Sequence, residues 1–524
     1  MPMSPFASSV LPSKVQIGKV LTAFSVLLVM LATGCASLPT DYPRSESTAL
    51  EDYRSTSLGQ IWAEAEDAHP GESGFAILRY GHRGFSTRVG IIDLAEKTLD
   101  LQIYIWAADE TGRILAERLL RAADRGVRVR VLADDMGLGG TDQTIASLDA
   151  HPNIEIRIFN PFAHRSASML DFITDMKRVN HRMHNKTVVM DNGFAIVGGR
   201  NIGDHYFGVD PETNFRDLDI IAVGPVVRDI STVFDHFWQG DWAVPIAVLV
   251  DRPYTDADLQ AAAISLRKRI AEGQYPYSVD DDIANLRVEI EATENNLTWA
   301  PGQIIWDDPA TLKEVAVTGE LVTAFRRKLD TVQKSLTLES AYFVVGESGL
   351  ASVKELENRG VEVRVLTNSL VSNDVLAAHA GHASYRKELL EAGAAVYELR
   401  ADSGVIKKTW DGESRAGLHT KAMVFDGESL FVGSFNLDPR SANINTEAGL
   451  YVESPELAAQ LQAYMDEGVL PENSYRLELD DDGDLVWITE DDGVEVRYDK
   501  DPLSTFGQRV TSGFIGILPV ESQL

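Results

Sequence analysis

Apolar and polar residues alternate in two stretches of the chain that lie more than two hundred residues apart. In the first stretch, Leu99–Trp106 is rich in β-formers and alternates with period two, which predicts a strand. Gly112–Ala123 carries leucines at helical spacing and predicts a helix, and Arg125–Leu132 predicts a second strand, with Gly126 ending the helix. The stretch therefore predicts one β-α-β unit.

The same unit recurs in the second half of the chain. Leu336–Phe343 predicts a strand, Leu350–Asn358 a helix and Arg359–Leu366 a further strand. The two strands begin 237 and 234 residues after their counterparts in the first half. Strands that alternate with helices predict two similar α/β/α halves, each built on a mixed, largely parallel sheet.

The repeat divides the chain into segments of different character. The C-terminal part differs from both repeats, because two acidic turns flank Leu485–Ile488 as in antiparallel hairpins. We predict the following division: signal peptide 1–34, tether 35–58, first domain 59–249, helical connector 250–300, and second domain 301–524 with C-terminal hairpins and tail.

Two clusters of chemically active residues are duplicated together with the fold. Their histidines are 235 residues apart, which matches the offset of the strands. The spacing of several residue types makes chance recurrence, or a pair of surface histidines in similar turns, a poor explanation. The first cluster contains His184, Lys186, Asp191, Gly198, Gly199 and Asn201, and the second contains His419, Lys421, Asp426, Gly433, Ser434 and Asn436.

These residue types suit the cleavage of a phosphodiester. His184 and Lys186 lie on one face of an extended segment, because side chains alternate along a strand. If the halves pack about a pseudo-two-fold axis, two lysines and two asparagines hold the non-bridging phosphoryl oxygens. One histidine then attacks phosphorus and the other protonates the departing alkoxide, without a metal or other cofactor. A metal site at His181 and His184 is a weaker alternative, since further ligands are missing.

Both clusters resemble the pattern H-x-K-x(4)-D-x(6)-G-S-x-N of the phospholipase D superfamily, and the resemblance covers nearly all of residues 75–520. It implies an active site between the two halves, with His184 as nucleophile and His419 as acid and then base. It also implies that Glu447 orients His419, while Asp217 is the candidate partner of His184. Asp191 and Asp426 belong to the catalytic motif, although we expect them to brace a loop.

The phosphate-binding residues implied by the resemblance are Asn201, Ser434 and Asn436. The first half departs from the pattern, because Gly199 stands where the pattern has serine. Ser434 is therefore the one hydroxyl that the two motif positions can supply.

Charge limits the choice of substrate. The 524 residues carry a formal net charge of −31, which disfavours a nucleic-acid partner because phosphate binding draws on clustered basic residues. The same charge opposes broad electrostatic docking onto anionic lipid. If the enzyme meets a membrane, another feature must hold it there.

The N-terminal sequence supplies such a feature. Lys14 and Lys19 precede an apolar run, Val20–Ala32, of the length of a secretory signal. The run ends before Cys35, the single cysteine of the chain, in a sequence that resembles a bacterial lipoprotein cleavage box. We expect a lipoprotein anchored at Cys35 in the cell envelope and facing the periplasm, with the inner or outer membrane left open. An ordinary signal peptide and an uncleaved anchor are the alternatives.

Three segments resemble the bacterial cardiolipin synthase C family within the superfamily, namely residues 180–186, 198–207 and 438–441. This resemblance implies phospholipid substrates, transfer of a phosphatidyl group through a phosphohistidine, and a possible accessory protein. A phospholipase D hydrolase is the main alternative, followed by a nuclease or other phosphodiesterase and by a non-enzymatic scaffold.

The C-terminal tail carries an apolar stripe. We expect this stripe to pack against the domain, and membrane attachment is the alternative. It consists of Phe506, Val510, Phe514, Ile515 and Leu518.

Overall fold

The structure is a computed structural model that describes residues 38–138, 141–273, 275–276, 297–313, 319–407, 414–518 and 523. The predicted signal peptide and Cys35 lie outside the described residues. The predicted tether is described from residue 38 onwards.

The described strands are as follows. They are β1 Ser73–Leu78, β2 Thr98–Ile105, β3 Arg128–Gly137, β4 Ile154–Phe159, β5 Thr187–Met190, β6 Phe194–Gly198, β7 Thr213–Arg216, β8 Asp219–Val223, β9 Ala243–Pro245, β10 Thr298–Ala300, β11 Gly302–Trp306, β12 Ser335–Ser340, β13 Glu362–Asn368, β14 Ala395–Leu399, β15 Arg415–Leu418, β16 Lys421–Phe425, β17 Ser429–Gly433, β18 Ala448–Val452, β19 Ser474–Leu479, β20 Leu485–Asp491 and β21 Val494–Tyr498.

The described α-helices connect and cover these strands. They are α1 Ser57–Ala68, α2 Gly81–Leu94, α3 Glu110–Asp124, α4 Asp142–Asp149, α5 Asp171–Thr174, α6 Met176–Val179, α7 Pro225–Gln239, α8 Ile246–Leu249, α9 Asp256–Glu272, α10 Glu320–Leu329, α11 Gly346–Asn358, α12 Leu376–Ala383, α13 Arg386–Ala392, α14 Gly404–Lys407, α15 Pro439–Asn443, α16 Pro455–Gly468 and α17 Phe506–Ile517. Short 3-10 helices lie at Tyr53–Ser55, Ser168–Leu170, Asp204–Tyr206 and Pro309–Lys313.

The two halves contain matching sheets. In the part of the chain that is described, the first sheet has the order β10-β1-β8-β6-β5-β2-β3-β4-β9, and the second has the order β11-β18-β17-β16-β12-β13-β14-β19-β20-β21. The segment β8-β6-β5-β2-β3-β4 corresponds strand by strand to β18-β17-β16-β12-β13-β14. The predicted pair of similar mixed α/β halves is confirmed, and so are the predicted C-terminal hairpins.

The prediction that the sheets are largely parallel is wrong. Parallel pairing within the two sheets is confined to β2-β3-β4 and β12-β13-β14, among the described strands. Those are the strands joined by helices, which a parallel crossover requires. The strands on the other side of each sheet are antiparallel, because short turns join β5 to β6 and β16 to β17.

An apolar core joins the halves. Side chains of β5 and β6, including Val189 and Val197, lie in one cluster with Val424 and Val432 of β16 and β17. Helices α7 and α16 also contribute to this cluster, and α7 contacts β11 whereas α16 contacts β1. Each of these helices therefore contacts strands of both sheets, and burial of apolar surface holds the halves together.

The segments outside the repeat also pack on the two halves. The predicted tether runs along the first half, where Arg157 donates to the Ser45 carbonyl at 2.8 Å and Arg130 to the Ser47 carbonyl at 2.7 Å. In the predicted connector, α9 packs on α3 and α4. Strand β10 joins the first sheet, and β11 joins the second. The predicted domain boundaries stay a prediction.

The C-terminal helix α17 packs on α12, but its apolar stripe does not face the domain. Phe506 is 76% exposed and Phe514 is 63% exposed. The expected packing of this stripe is therefore wrong, since the helix uses its other face for the contact. Among the described residues, no helix combines the length and the apolar character that crossing a bilayer requires.

Candidate active site

Two short parallel strand contacts between the halves position both histidines. Strand β7 pairs with β15 so that Arg216 lies opposite Leu418, and the next residues in this register are Asp217 and His419. In the other contact, Met183 forms a parallel bridge with Thr446, and the next residues are His184 and Glu447. Each motif histidine is thus placed beside a carboxylate of the opposite half.

The hydrogen bonds follow this register. His184 Nδ1 lies 2.9 Å from Glu447 Oε2, and His419 Nδ1 lies 2.7 Å from Asp217 Oδ2. The predicted pairing of Glu447 with His419 and of Asp217 with His184 is therefore wrong. The residue types were identified, but the pairs are crossed because the parallel contacts join the halves at these residues.

The geometry also determines which nitrogen of His184 carries the proton. Its Nδ1 lies 3.0 Å from the Ser434 carbonyl oxygen, which accepts hydrogen bonds and donates none. Nδ1 is therefore the protonated nitrogen when the ring is neutral, and Nε2 retains a lone pair. An imidazole in this state is suited to nucleophilic attack.

Ser434 supports Glu447 in this structure. Its hydroxyl donates to Glu447 Oε2 and accepts from the Ala448 N–H at 3.0 Å. The prediction that Ser434 binds phosphate directly is not what this geometry provides, because both hydrogen-bonding roles of the hydroxyl are occupied. Ser434 is instead placed as a positioning residue.

In the first half, Gly199 occupies the position that corresponds to Ser434. A side-chain carbon at Gly199 would lie 2.3 Å from Asp217 Oδ1 and 2.9 Å from its carboxyl carbon. Asp217 is one methylene shorter than Glu447, and its carboxylate occupies space that a side chain at residue 199 would need. The departure of Gly199 from the motif is therefore matched to the aspartate.

Lys186 and Lys421 are buried beside the histidines. Each ammonium group donates to the carbonyl oxygen of the histidine two residues before it. Burial lowers the pKa of both lysines, while Glu447 and Asp217 favour their charged forms. Each ammonium retains further N–H groups, which could donate to an anionic oxygen.

The two motif asparagines differ in their surroundings. Asn201 accepts from the Ile105 N–H at 3.1 Å and donates to the Tyr206 hydroxyl at 2.9 Å. Asn436 is buried, and its side-chain oxygen has no protein partner in the described structure. Asn201 is thus locked in place, whereas Asn436 is more open to a ligand.

Asp191 and Asp426 lie at a different place from the motif histidines and lysines. Asp191 accepts from the N–H groups of residues 96–98, and Asp426 from those of residues 333–335. Both residues adopt positive φ, at 51° and 55°. They brace the turns that follow β5 and β16, and the structure does not bring them to the histidines.

Burial dominates the electrostatics of the site. It raises the pKa of Glu447 to about 7 and that of Asp217 to about 7. Burial, together with the two lysines, lowers the pKa of His184 and His419 well below the ordinary value. The lysines affect both histidines, which places the four groups of the two motifs in one site.

Several residues outside the motifs complete the site. Asp134 pairs with Arg182 at 3.1 Å and accepts from the Met183 N–H at 2.8 Å, just before His184. Asp307 accepts from the Glu447 N–H at 3.1 Å. Asp134 comes two residues after the predicted strand Arg125–Leu132, which is a weak sequence signal, whereas Asp307 carried none.

Aromatic rings enclose the two histidines. Tyr104 meets the His184 ring edge-on at 4.9 Å between centroids, and Tyr206 meets the His419 ring at 5.0 Å. Phe215 stacks on the His419 ring at 5.3 Å. Among the described residues, no group of three His, Cys, Asp or Glu side chains is arranged to hold a metal ion.

Comparison with known proteins identifies the class of the protein. The family profile described as "Cardiolipin synthase, PLD-like domain" matches residues 89–238 and 325–468, more than half of the chain. The chain thus belongs to the phospholipase D-like cardiolipin synthase family and is a phospholipase D-type phosphatidyltransferase.

Individual relatives cover most of the chain. Cardiolipin synthase C of Escherichia coli (strain K12) is 38% identical over 463 residues, which is 86% of this chain and 96% of that protein. An uncharacterized protein of Helicobacter pylori (strain ATCC 700392 / 26695) is 31% identical over 501 residues, 94% of this chain and 98% of its own.

A solved structure shares the fold. The phosphatidylserine synthase of Haemophilus influenzae Rd KW20 superposes with a TM-score of 0.53 at 15% identity, over 80% of this chain and 92% of that chain. At this identity the likeness bears on the fold alone.

Proposed function

We propose that this enzyme transfers a phosphatidyl group from one phospholipid to the headgroup hydroxyl of another, phosphatidylglycerol, and so forms cardiolipin. The observation that carries the proposal is the pair of crossed contacts, in which a carboxylate of each half holds the Nδ1 atom of the other half's histidine. This arrangement leaves both Nε2 atoms available for a phosphodiester between them.

The proposed reaction has two steps. His184 Nε2 attacks phosphorus, the bond from phosphorus to the donor headgroup oxygen breaks, and a phosphatidyl-histidine forms. His419, whose charged form is favoured by Asp217 and by the bound phosphodiester anion, gives its Nε2 proton to the departing alkoxide and keeps the Nδ1–H that Asp217 accepts. In the second step His419 takes the proton of the acceptor hydroxyl, the new oxygen attacks phosphorus, and the bond to His184 breaks.

The buried lysines support the charge that develops during these steps. Both pKa values are lowered chiefly by burial, so an arriving phosphoryl anion would stabilise the ammonium forms. Lys186, Lys421 and Asn436 are the groups we propose to hold the non-bridging oxygens, with Asn201 fixed by Tyr206 as a further candidate. Such fixed donors act most strongly in a site that excludes water.

The choice of lipid transfer over hydrolysis is supported by the relatives. The cardiolipin synthase C relative is similar over nearly its whole length, so no large part of that protein lacks a counterpart here. The net charge of −31 disfavours a nuclease. Hydrolysis uses the same phosphatidyl-histidine, and it differs in admitting water in place of the acceptor lipid.

We also propose that the chain is a lipoprotein of the cell envelope, attached through Cys35 after removal of residues 1–34 and facing the periplasm. The apolar run before the single cysteine supports this proposal. Membrane fractionation of Cys35→Ser tests it, and unchanged membrane residence would argue against lipidation. The proposal includes an accessory protein, so cellular assays accompany those with purified enzyme.

The decisive experiment is a product analysis. Purified enzyme in mixed micelles of phosphatidylethanolamine and phosphatidylglycerol is expected to form cardiolipin faster than phosphatidic acid. The same lipids are measured in cells that overproduce the protein, with His184→Ala and His419→Ala as inactive controls. Accumulation of phosphatidic acid without cardiolipin in either setting would replace the proposed transferase with a hydrolase.

The phosphatidyl-histidine is tested separately. Quenching in acid is unsuitable because phosphohistidine is labile in acid. Donor lipid that is labelled in its phosphatidyl group is therefore mixed with the enzyme, and the enzyme is then denatured in alkali. Label is expected on wild-type protein and absent from His184→Ala. Label that persists in His184→Ala but disappears in His419→Ala would show that His419 is the nucleophile and His184 the general acid.

A further inference from the structure

We propose that two exposed apolar segments beside the active site, residues 169–176 and the outer face of α17, form a surface that inserts into a phospholipid bilayer. The inference rests on the proposed function, because a lipid substrate must reach the site from a membrane. It goes beyond that function by naming the part of the folded domain that meets the bilayer.

Helix α17 exposes its apolar face, which an ordinary surface helix buries. The residues on its outer face recur at intervals of three and four, as one helical stripe requires. They are Phe506 at 76% exposure, Val510 at 53%, Phe514 at 63% and Ile517 at 84%. An amphipathic helix of a globular protein normally turns this face to the core.

The opposite face of α17 makes the contact with α12. Ser512 is buried, and a side-chain carbon at Gly516 would lie 3.7 Å from the Ala380 carbonyl oxygen. Small and polar residues thus face the protein, and the aromatic residues face outward. The contact with α12 holds the helix in this orientation and leaves its apolar face uncovered by the described chain.

A second exposed segment adds to this surface. Met169 is 72% exposed, Ile173 is 73% exposed and Met176 is 44% exposed. Nine of the fifteen exposed large apolar residues in the described chain lie in 169–176 or 503–518. This concentration distinguishes the two segments from scattered surface leucines, which need no explanation.

A hydrogen bond joins two residues that lie just beyond these segments in the chain. Gln523, five residues after Leu518, lies 2.9 Å from the side-chain nitrogen of Asn180. Asn180 directly follows α6 and precedes His184 by four residues, and Arg440 also donates to Asn180 at 2.7 Å. The chain beyond α17 therefore contacts the chain beyond residues 169–176 four positions before His184.

The other side of α17 is likewise tied to the site. Helix α12 begins two residues after Asp374, whose carboxylate accepts from the Tyr342 hydroxyl at 3.0 Å. Asp374 is also among the groups that favour the charged form of Lys421. The helix that carries α17 is thus anchored at the edge of the active site.

The charge of these segments fits a phospholipid surface. The chain has 79 acidic residues, yet none lies between Asp501 and Glu521, where Arg509 is the charged residue. In the second segment, Asp171 is buried against His164 and Asp175 pairs with Arg178, while Lys177, the residue directly after the segment, is exposed. Exposed aromatic and aliphatic residues with a few basic groups are typical of helices that lie in the membrane interface.

A probe of local polarity tests insertion directly. In the full chain carrying Cys35→Ser, Phe514→Cys is labelled with an environment-sensitive nitrobenzoxadiazole dye. Val494→Cys is the matched control, because residue 494 is an exposed apolar position, 64% exposed, in the C-terminal hairpin. The proteins are reconstituted into vesicles of phosphatidylethanolamine and phosphatidylglycerol, so the N-terminal segment is present in both.

We expect the dye at residue 514 to shift its emission to the blue and to be quenched by lipids with spin labels on their acyl chains, and the dye at 494 to do neither. Equal behaviour of the two positions would overturn the proposal. The dye at 514 could instead show blue-shifted emission in detergent without vesicles, with a doubled mass in sedimentation. That result would overturn the proposal and show that the apolar face of α17 contacts a second copy of the chain.

A rate comparison tests the link to the proposed function. Phe506→Ser combined with Phe514→Ser is expected to lower turnover on vesicles about tenfold and to leave turnover of monomeric short-chain phospholipid within twofold. Ile264→Ser is the control, since Ile264 is 68% exposed on α9. An unchanged vesicle rate would contradict the role of the surface in substrate access.

The two failures are distinguishable. A wild-type enzyme that turns over neither vesicles nor monomeric lipid refutes the proposed function, while the dye measurement still decides insertion. A wild-type enzyme active on both, with no response of the dye at 514, refutes the membrane surface alone.

Discussion

His184 and Glu447 are 263 positions apart in the chain, and a 2.9 Å contact between them joins the two halves at the active site. Asp217 and His419 form the equivalent contact in the opposite direction, at 2.7 Å. Each half therefore supplies one histidine and the carboxylate for the other half's histidine. Neither motif histidine takes its carboxylate from its own half, so both pairs form only when the two halves are docked.

The crossed pairing can be tested by comparing kinetic profiles. We expect Glu447→Gln and Asp217→Asn each to lower kcat by about 10²–10⁴, because each replaces the carboxylate that orients a histidine with a neutral amide. A phosphatidyl ester of nitrophenol, a good leaving group, needs little help from a general acid. With this substrate, the rate of intermediate formation is expected to return towards the wild-type value only when the replaced residue belongs to the pair that contains the general acid. Variants of the pair that contains the nucleophile should stay slow.

The profiles also reveal which residues act together. Glu447→Gln is expected to respond to the change of substrate in the same way as His184→Ala, and Asp217→Asn in the same way as His419→Ala. This holds whichever histidine is the nucleophile. Circular dichroism and thermal midpoints verify that the variants are folded. If Glu447→Gln instead follows His419→Ala, the crossed contacts are not those of the working enzyme.

Acidity should reduce the activity of the free enzyme near neutral pH. Burial raises the pKa of both Glu447 and Asp217 to about 7. Below that pH the carboxyls are protonated and hold the histidine Nδ1–H groups less firmly, so we expect kcat/KM to fall as pH decreases through about 7. Both carboxyls titrate over the same pH range, so the profile reports the two together.

The same pKa shifts affect folding with the opposite sign. A carboxyl whose pKa is higher in the folded protein binds more protons there than in the unfolded chain, so its contribution to stability falls as pH rises from about 4 to about 7. The thermal midpoint of wild type, measured relative to Glu447→Gln, is expected to decrease from pH 5 to pH 8. A relative midpoint that increases over this interval would contradict the raised pKa.

Gly199 should resist replacement by the serine that the motif prescribes. A side-chain carbon at this position would lie 2.3 Å from Asp217 Oδ1, so Gly199→Ser and Gly199→Ala must displace the carboxylate that holds His419. We expect kcat to fall at least tenfold in both variants. Gly404→Ala is the control, because a side-chain carbon there meets no atom within 4 Å. Full activity of Gly199→Ser would show that Asp217 can be accommodated elsewhere.

The sequence predicted the repeated halves and the two motifs because both depend on local patterns. Alternation identified β2 and β12, and fixed spacing identified His184 and His419 with their lysines. The crossed carboxylates could not be predicted, because the pairing depends on the register between β7 and β15 and on the bridge at Met183. Such contacts join residues more than two hundred positions apart, and one sequence carries no signal for them.

The outward face of α17 was missed for a related reason. Periodicity identified an apolar stripe that includes Phe506 and Phe514, but an apolar stripe has the same period whether it faces a core or a membrane. The partner of the helix, α12, selects the face that is buried. Likewise, the share of parallel strands was overestimated, because the turns that join β5 to β6 and β16 to β17 are too short for a crossover.

Asp191 and Asp426 should affect stability more than chemistry, although both belong to the motif. Each accepts three backbone N–H groups, and Asp191 is the more buried. Removing a buried acceptor leaves donors unsatisfied, so we expect Asp191→Ala to lower the free energy of unfolding by about 2–4 kcal/mol and Asp426→Ala by about half of that, because water reaches residue 426 more easily.

Urea denaturation measures the loss of stability, and kcat of the folded fraction should stay within threefold of wild type. Asp191→Asn is the control for the positive φ, which asparagine tolerates, and it should lose less than Asp191→Ala. A loss of kcat as large as that of His184→Ala, in a variant that remains folded, would place these carboxylates in the chemistry after all.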